Sequence, residues 1–124
     1  MSIKSKVLVV EDDVWLAEHY VRILTAAGYE SWSVPHALAA IDHIDTRRPD
    51  VIVLDVLLTG STAFALLHEL RSHVDIGNIP VVLCTNTAAD LAYEDMTLYG
   101  VRQVLDKTTM KPDDIVHAVT KVLL

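Results

Sequence analysis

Pro49-Asp50-Val51-Ile52-Val53-Leu54-Asp55 is the stretch from which the rest of the chain can be read. Four consecutive aliphatic residues, entered through Pro-Asp, predict a short strand buried on both faces, as in parallel sheets. The run ends on a carboxylate. A buried strand that finishes on an acid presents that acid at the edge of the sheet, where it can do chemistry. Asp55 is therefore the first candidate functional residue.

Outward from this strand, apolar runs and helical spacings alternate. On its N-terminal side, Val7 to Val10 predicts a first strand, closed by Glu11-Asp12-Asp13. A helix follows, with Ala17, Tyr20, Val21 and Leu24 on one face, Asp13 placed to cap it and Gly28 placed to stop it. Ser31 to Val34 is a shorter, more polar strand of the kind that lies at a sheet edge. Ala37, Ala40, Ile41 and Ile44 repeat the helical spacing. On the C-terminal side of Asp55, a loop around Thr59 to Thr62 leads to a helix with Ala63, Leu66, Leu67 and Leu70 in register. Ile79 to Thr85 predicts a fourth strand, Ala88 to Gly100 a fourth helix and Val101 to Leu105 a fifth strand, closed by Asp106-Lys107. Pro112 suits the first turn of a last helix, with Asp113 and Asp114 near its positive end and Ile115, Ala118, Val119 and Val122 on its buried face.

Five strand–helix pairs in strict alternation, without linker or low-complexity tract, predict an α/β fold, a doubly wound parallel sheet of (βα)5 type. A closed eight-fold barrel needs about twice this length. The 124 residues are read as one domain, residues 1–124, with 52% hydrophobic residues to fill a core. The formal charge of −7 argues against direct nucleic-acid binding, which needs a basic patch. A single cysteine, Cys84 in an apolar strand, excludes a disulfide framework and reads as a buried structural thiol. The polar N-terminus lacks a signal-type core, and no apolar run has membrane-spanning length, so a cytoplasmic location without membrane insertion is expected. Five histidines (His19, His36, His43, His68 and His117) fall on predicted helices and His73 at a helix end. None has a metal-ligand companion at useful spacing.

In an open parallel sheet, ligands bind at the carboxyl ends of the strands. Those ends carry Glu11-Asp12-Asp13, Asp55, Thr85 and Lys107, whereas the second strand ends only in Val34-Pro35. Carboxylates that converge repel one another unless a cation joins them. An all-oxygen donor set favours a hard ion, and Mg²⁺ fits best. Lysine and threonine can then hold phosphoryl oxygens, and the Asp55 carboxylate can act as nucleophile to give an aspartyl-phosphate.

This ordered set resembles the receiver domain of two-component response regulators over essentially the whole chain. Lys6 to Asp13 resembles the opening strand with its acidic pair, Glu11 and Asp12. Pro49 to Asp55 resembles the phosphoacceptor strand, Pro80 to Thr85 the strand ending in the switch hydroxyl, and Lys107 the site lysine. The resemblance implies a flavodoxin-like strand order 2-1-3-4-5. It implies a phosphoryl group donated to Asp55 by a histidine kinase or phosphotransfer protein with Mg²⁺ present, and a metal shell of Glu11, Asp12, Asp55 and the Leu57 backbone carbonyl. Thr85 and Lys107 would hold the phosphoryl group, Leu57 and Thr87 would flank the attacking water, and the signal would pass by altered binding of a downstream protein.

Some positions depart from the family. Val104 replaces an aromatic, Asn86 a small residue, Thr108 the proline after the lysine, and Thr59 and Ala63 a Pro and a Gly. Because a cis bond without proline costs about 3–4 kcal/mol, a trans Lys107–Thr108 bond is expected. Two other readings use the same residues. A receiver-like interaction module would work without phosphorylation. A haloacid-dehalogenase-type phosphatase would need an acid two residues after its nucleophile, where Leu57 stands, so turnover catalysis is not expected. Trp15 lies just beyond the acidic cluster, where its fluorescence can report metal binding.

Overall fold

The computed structural model describes residues 4–55, 67–69, 71–72, 78–85 and 97–124. The strands are β1 (Lys6–Val10), β2 (Glu30–Val34), β3 (Val51–Asp55), β4 (Val81–Thr85) and β5 (Val101–Asp106). They form one parallel sheet in the order β2-β1-β3-β4-β5. Helices α1 (Val14–Ala26) and α2 (Ala37–Thr46) and a C-terminal helix (Pro112–Leu123) are complete, and residues 67–69, 71–72 and 97–98 are helical as well. The expected α/β architecture and strand order are thus present. The loop around Thr59 to Thr62, with Leu57, Asn86 and Thr87, lies outside the described residues.

The side-chain alternation of a strand sends successive residues to opposite faces, so a continuous apolar run feeds two cores. On one face Leu8, Val10, Ile52, Leu54, Val81 and Leu83 pack with Ala40 and Ile44 of α2 and with Leu67. On the other, Val7, Val9, Val51, Val53, Val82 and Cys84 pack with Tyr20 and Leu24 of α1 and with Ile115, Ala118 and Val119 of the C-terminal helix. All five residues of β3 are buried, which is why that strand has no polar position before Asp55.

The helix ends follow their sequence signals. Asp13 accepts a hydrogen bond from Leu16 N at 3.1 Å and so satisfies one orphan donor of α1. Gly28, at φ +101°, ends the same helix, with Gly28 N bonded to Thr25 O and Tyr29 N to Leu24 O. Several boundaries differ from the sequence reading: β1 begins one residue earlier, at Lys6, and β4 begins two residues later, at Val81. His36 precedes α2 instead of lying in it, and its Nδ1 accepts from Ala39 N at 3.2 Å, taking the capping role that Ser or Asp usually fills. β2 begins one residue earlier, at Glu30, and β5 runs one residue further because Asp106 pairs with Thr85. Edge strand β2 carries Trp32, half-buried against the core, with the Arg47 guanidinium 3.8 Å from its ring centroid and 3.0 Å from Glu30.

Candidate functional site at the carboxyl end of the sheet

The strand order reverses between β1 and β3, and their register decides what meets there. Val10 lies opposite Leu54, so the next residues on each strand, Glu11 and Asp55, stand side by side at the carboxyl end. On the other side of β3, Asp55 pairs with Cys84, which brings Thr85 to the same edge. β5 completes the row: Lys107 N donates to Thr85 O at 2.9 Å, fixing the lysine backbone against β4.

Glu11, Asp55 and Thr85 are the buried polar residues among those described, each at most 3% exposed. Desolvating two carboxylates is costly, and the structure offsets the cost with one cation. Lys107 Nζ donates to Asp55 Oδ2 and lies 3.5 Å from Glu11 Oε2, with its own side chain only 9% exposed. Glu11 Oε1 accepts from Asp13 N at 3.1 Å, while Oε2 is buried without a hydrogen bond. Two buried carboxylates against one ammonium leave one negative charge uncompensated among these three side chains. Asp12 is exposed, and Asp13 is spent on the helix cap.

The donor chemistry fits a hard divalent cation. A half-paired buried carboxylate beside a second carboxylate suits Mg²⁺, which binds through one or two carboxylates and keeps several waters. Among the described residues no three acidic, histidine or cysteine side chains group closely enough to cage a metal by themselves. Of the sequence-derived metal set, Glu11 and Asp55 come together, Asp12 stays at the surface and Leu57 lies outside the described residues.

The pocket also perturbs its neighbours. Burial pushes the Cys84 thiol up to about 12, with the Asp55 charge adding to the rise and Lys107 opposing it. Burial likewise pushes the Tyr20 phenol up to about 12. Both groups stay neutral beneath the site and contribute packing.

The Lys107–Thr108 bond is trans, as expected, and hydrogen bonds from Thr108, Thr109 and Met110 to Asp106 shape the loop after it. Val104 packs half-buried against the core cluster that includes α2. Sequence reasoning missed a cavity of about 200 Å³ beside Lys107, lined by Leu16, His19, Tyr20, Met110, Lys111 and Pro112. No sequence spacing links α1 to the residue 107–112 loop; only their packing does.

Residues 7–120 match the family model of the response regulator receiver domain. The chain belongs to that family. It is 36% identical over 119 residues to the probable transcriptional regulatory protein TcrX of Mycobacterium tuberculosis, covering 94% of this chain and 47% of the relative. The chain spans about half the length of the curated relatives it matches, which include the DNA-binding response regulator MtrA of Mycobacterium bovis, covered to 46%. Among solved structures, the signal receiver domain of a signal transduction histidine kinase from Syntrophus aciditrophicus superposes with a TM-score of 0.79 at 29% identity, covering 96% of this chain and 89% of that one. A sensor protein from Polaromonas sp. JS666 reaches 0.87 at 19% identity over 98% and 97% of the two chains, a likeness of fold. Receiver domains are signalling modules of two-component systems and not classical turnover enzymes.

Proposed function

We propose that this chain is a phosphoryl acceptor, a single receiver domain that takes a phosphoryl group onto Asp55 from a phosphohistidine of a histidine kinase or phosphotransfer protein. The observation that carries the reading is the buried trio at the strand ends, with Lys107 bound to Asp55 and 3.5 Å from Glu11. A carboxylate oxygen of Asp55 attacks phosphorus, the P–N bond breaks, and the imidazole leaves with the bonding electrons. Lys107 then exchanges its carboxylate partner for a phosphoryl oxygen, keeping its charge paired throughout. Thr85, at the same edge, donates its hydroxyl to a second oxygen. Glu11, Asp12, Asp55 and the Leu57 carbonyl would hold Mg²⁺, which when bound neutralises charge on the phosphoryl oxygens.

The donor must reach Asp55 over the rim formed by the first turn of α1 and the loop after β5. Val14 and Trp15 are exposed there, at 64% and 84%, and offer a partner apolar contact area beside the site. The chain's own acidic balance supports protein partners, including an unknown downstream protein, over direct DNA contact. Regulation of transcription, which the name of TcrX gives to that relative, would reach this chain only through sequence beyond the receiver. We place the protein in the cytoplasm, without membrane insertion and without turnover catalysis; among the described residues no helix is long and apolar enough to cross a membrane.

Incubation with acetyl phosphate and Mg²⁺, read by intact mass, should add one phosphoryl group to the wild type and none to Asp55→Asn. Peptide mapping should locate it on Asp55. Equal labelling of both proteins would remove Asp55 from its role, and no labelling of the wild type would favour a module that works by contact alone.

A further inference from the structure

Lys107 is the one cation in the buried trio, yet the chain around it lacks the proline that would stiffen its loop. The residues on either side do this work by hydrogen bonding. Asp106 Oδ1 accepts from Thr108 N at 2.9 Å and from Thr108 Oγ1 at 2.6 Å, so the carboxylate reaches across Lys107 and closes a ring over it. The Asp106 carbonyl accepts from Thr109 N at 3.1 Å and Met110 N at 2.8 Å, turning the chain immediately afterwards. On the inner side, Lys107 N is tied to Thr85 O and Asp106 is paired with Thr85 in the sheet. The Lys107 backbone is therefore held from both directions while its side chain points to Asp55.

We propose that Asp106 and Thr108 are positioning residues that aim Lys107: their side-chain bracket replaces the rigidity of a proline and keeps the ammonium on the Asp55–Glu11 pair. This deepens the phosphoryl-acceptor reading and rests on it for its purpose, although the bracket is a property of the loop itself. Hydrogen bonds to a charged acceptor are shorter and stronger than neutral ones, which suits a two-pronged clamp on an otherwise solvent-facing turn. Consistent with that, the bonds from Thr108, hydroxyl first and backbone N–H second, hold the Asp106 carboxyl below the usual carboxylate range. A β-branched threonine also fits the position, because its χ1 is stiff and its hydroxyl can be held toward Oδ1.

The test reads Lys107 separately from phosphorylation. The intact protein is labelled briefly with a lysine-acylating reagent, and peptide mass spectrometry gives the reactivity of Lys107 relative to exposed Lys111 in the same molecule. Wild-type Lys107 should react far more slowly than Lys111. In Thr108→Val and Asp106→Ala, each first checked for cooperative urea unfolding, the ratio should rise roughly ten-fold, the scale of one lost charge-assisted bond. Thr108→Ser should restore the wild-type ratio and Asp106→Asn should fall between. The serine and asparagine variants keep the series readable should the alanine variant not fold. An unchanged ratio in folded Thr108→Val and Asp106→Asn would overturn the proposal. Acetyl phosphate uptake by the same proteins separates the two readings. A wild type that takes no phosphoryl group, while Lys107 responds as stated, sinks the acceptor reading and leaves the bracket standing. Normal uptake with an unresponsive Lys107 does the reverse.

Discussion

At the end of β1 three consecutive acids, Glu11-Asp12-Asp13, are sent to three different places. At the end of β5 the residues Asp106-Lys107-Thr108 are joined to one another. Glu11 turns into the pocket, Asp12 stays in solvent and Asp13 caps α1. In the lysine loop, the two outer residues bond across the middle one. The contrast follows from what each loop carries. Surplus negative charge is easily distributed because water and a helix N-terminus both accept it. A single ammonium that must balance two buried carboxylates has no such freedom. Damage to the acidic loop should therefore be separable residue by residue, while damage at Lys107 should spread.

The largest expected effect tests that charge balance. Lys107→Ala removes the ammonium that Glu11 and Asp55 share and should lower stability by about 3 kcal/mol at neutral pH, measured by urea unfolding without divalent ions. Asp55→Asn instead leaves one glutamate facing one lysine and should be neutral or slightly stabilising. Equal losses from the two variants would mean that packing, and not charge, joins the loops.

A second effect appears at alkaline pH. The folded state holds Cys84 and Tyr20 neutral up to about 12, against ordinary values of 9.0 and 10.0. Between those limits the unfolded chain binds fewer protons, so stability present below pH 9 falls as pH rises. The slope should be about 1.4 kcal/mol per pH unit from Cys84, with Tyr20 adding its share above pH 10. In Cys84→Ala the urea midpoint should stay flat between pH 9 and 10; a drop as steep as in the wild type would assign the alkaline loss elsewhere.

The smallest effects sharpen the acidic side. Asp13→Ala should cost about 1 kcal/mol through the lost cap and leave phosphoryl uptake intact. Asp12→Ala should change stability by less than about 0.5 kcal/mol but raise the Mg²⁺ concentration needed for uptake. Should both variants lose stability alike, the division of labour among the three acids is wrong.

Much of this was legible in the chain. Continuous aliphatic runs such as Val51 to Leu54 fix buried strands, and the spacing Ala17, Tyr20, Leu24 fixes a helix face, because burial on a regular lattice leaves a period in the residues. The edge position of β2 showed in Ser31 and Ser33. The meeting of Glu11, Asp55 and Lys107 was legible only as strand ends; their pairing needed the β1–β3 register. His36 was misread because its capping acts through a ring nitrogen, a donor–acceptor choice that composition does not reveal. The Asp106–Thr108 bracket was hidden for a similar reason. Both residues look like ordinary turn formers, and only the shared oxygen Oδ1 shows that they act together.

The two faces of the sheet differ in when they can be completed. The face under α2 draws on residues up to Val104, whereas Tyr20 and Leu24 of α1 share their core with Ile115, Ala118 and Val119. The hydroxyl contact of Tyr29 with Thr120, at 2.5 Å, spans nearly the same length of chain. During synthesis, this face of the sheet, with the first helix on it, therefore stays only partly covered until the helix ending at Leu123 has emerged. Closing so long a loop is slow, and the exposed surface is open to chaperones or to wrong partners in the meantime. A variant lacking that last helix would keep most of its strands yet resemble a nascent chain stalled one step before completion.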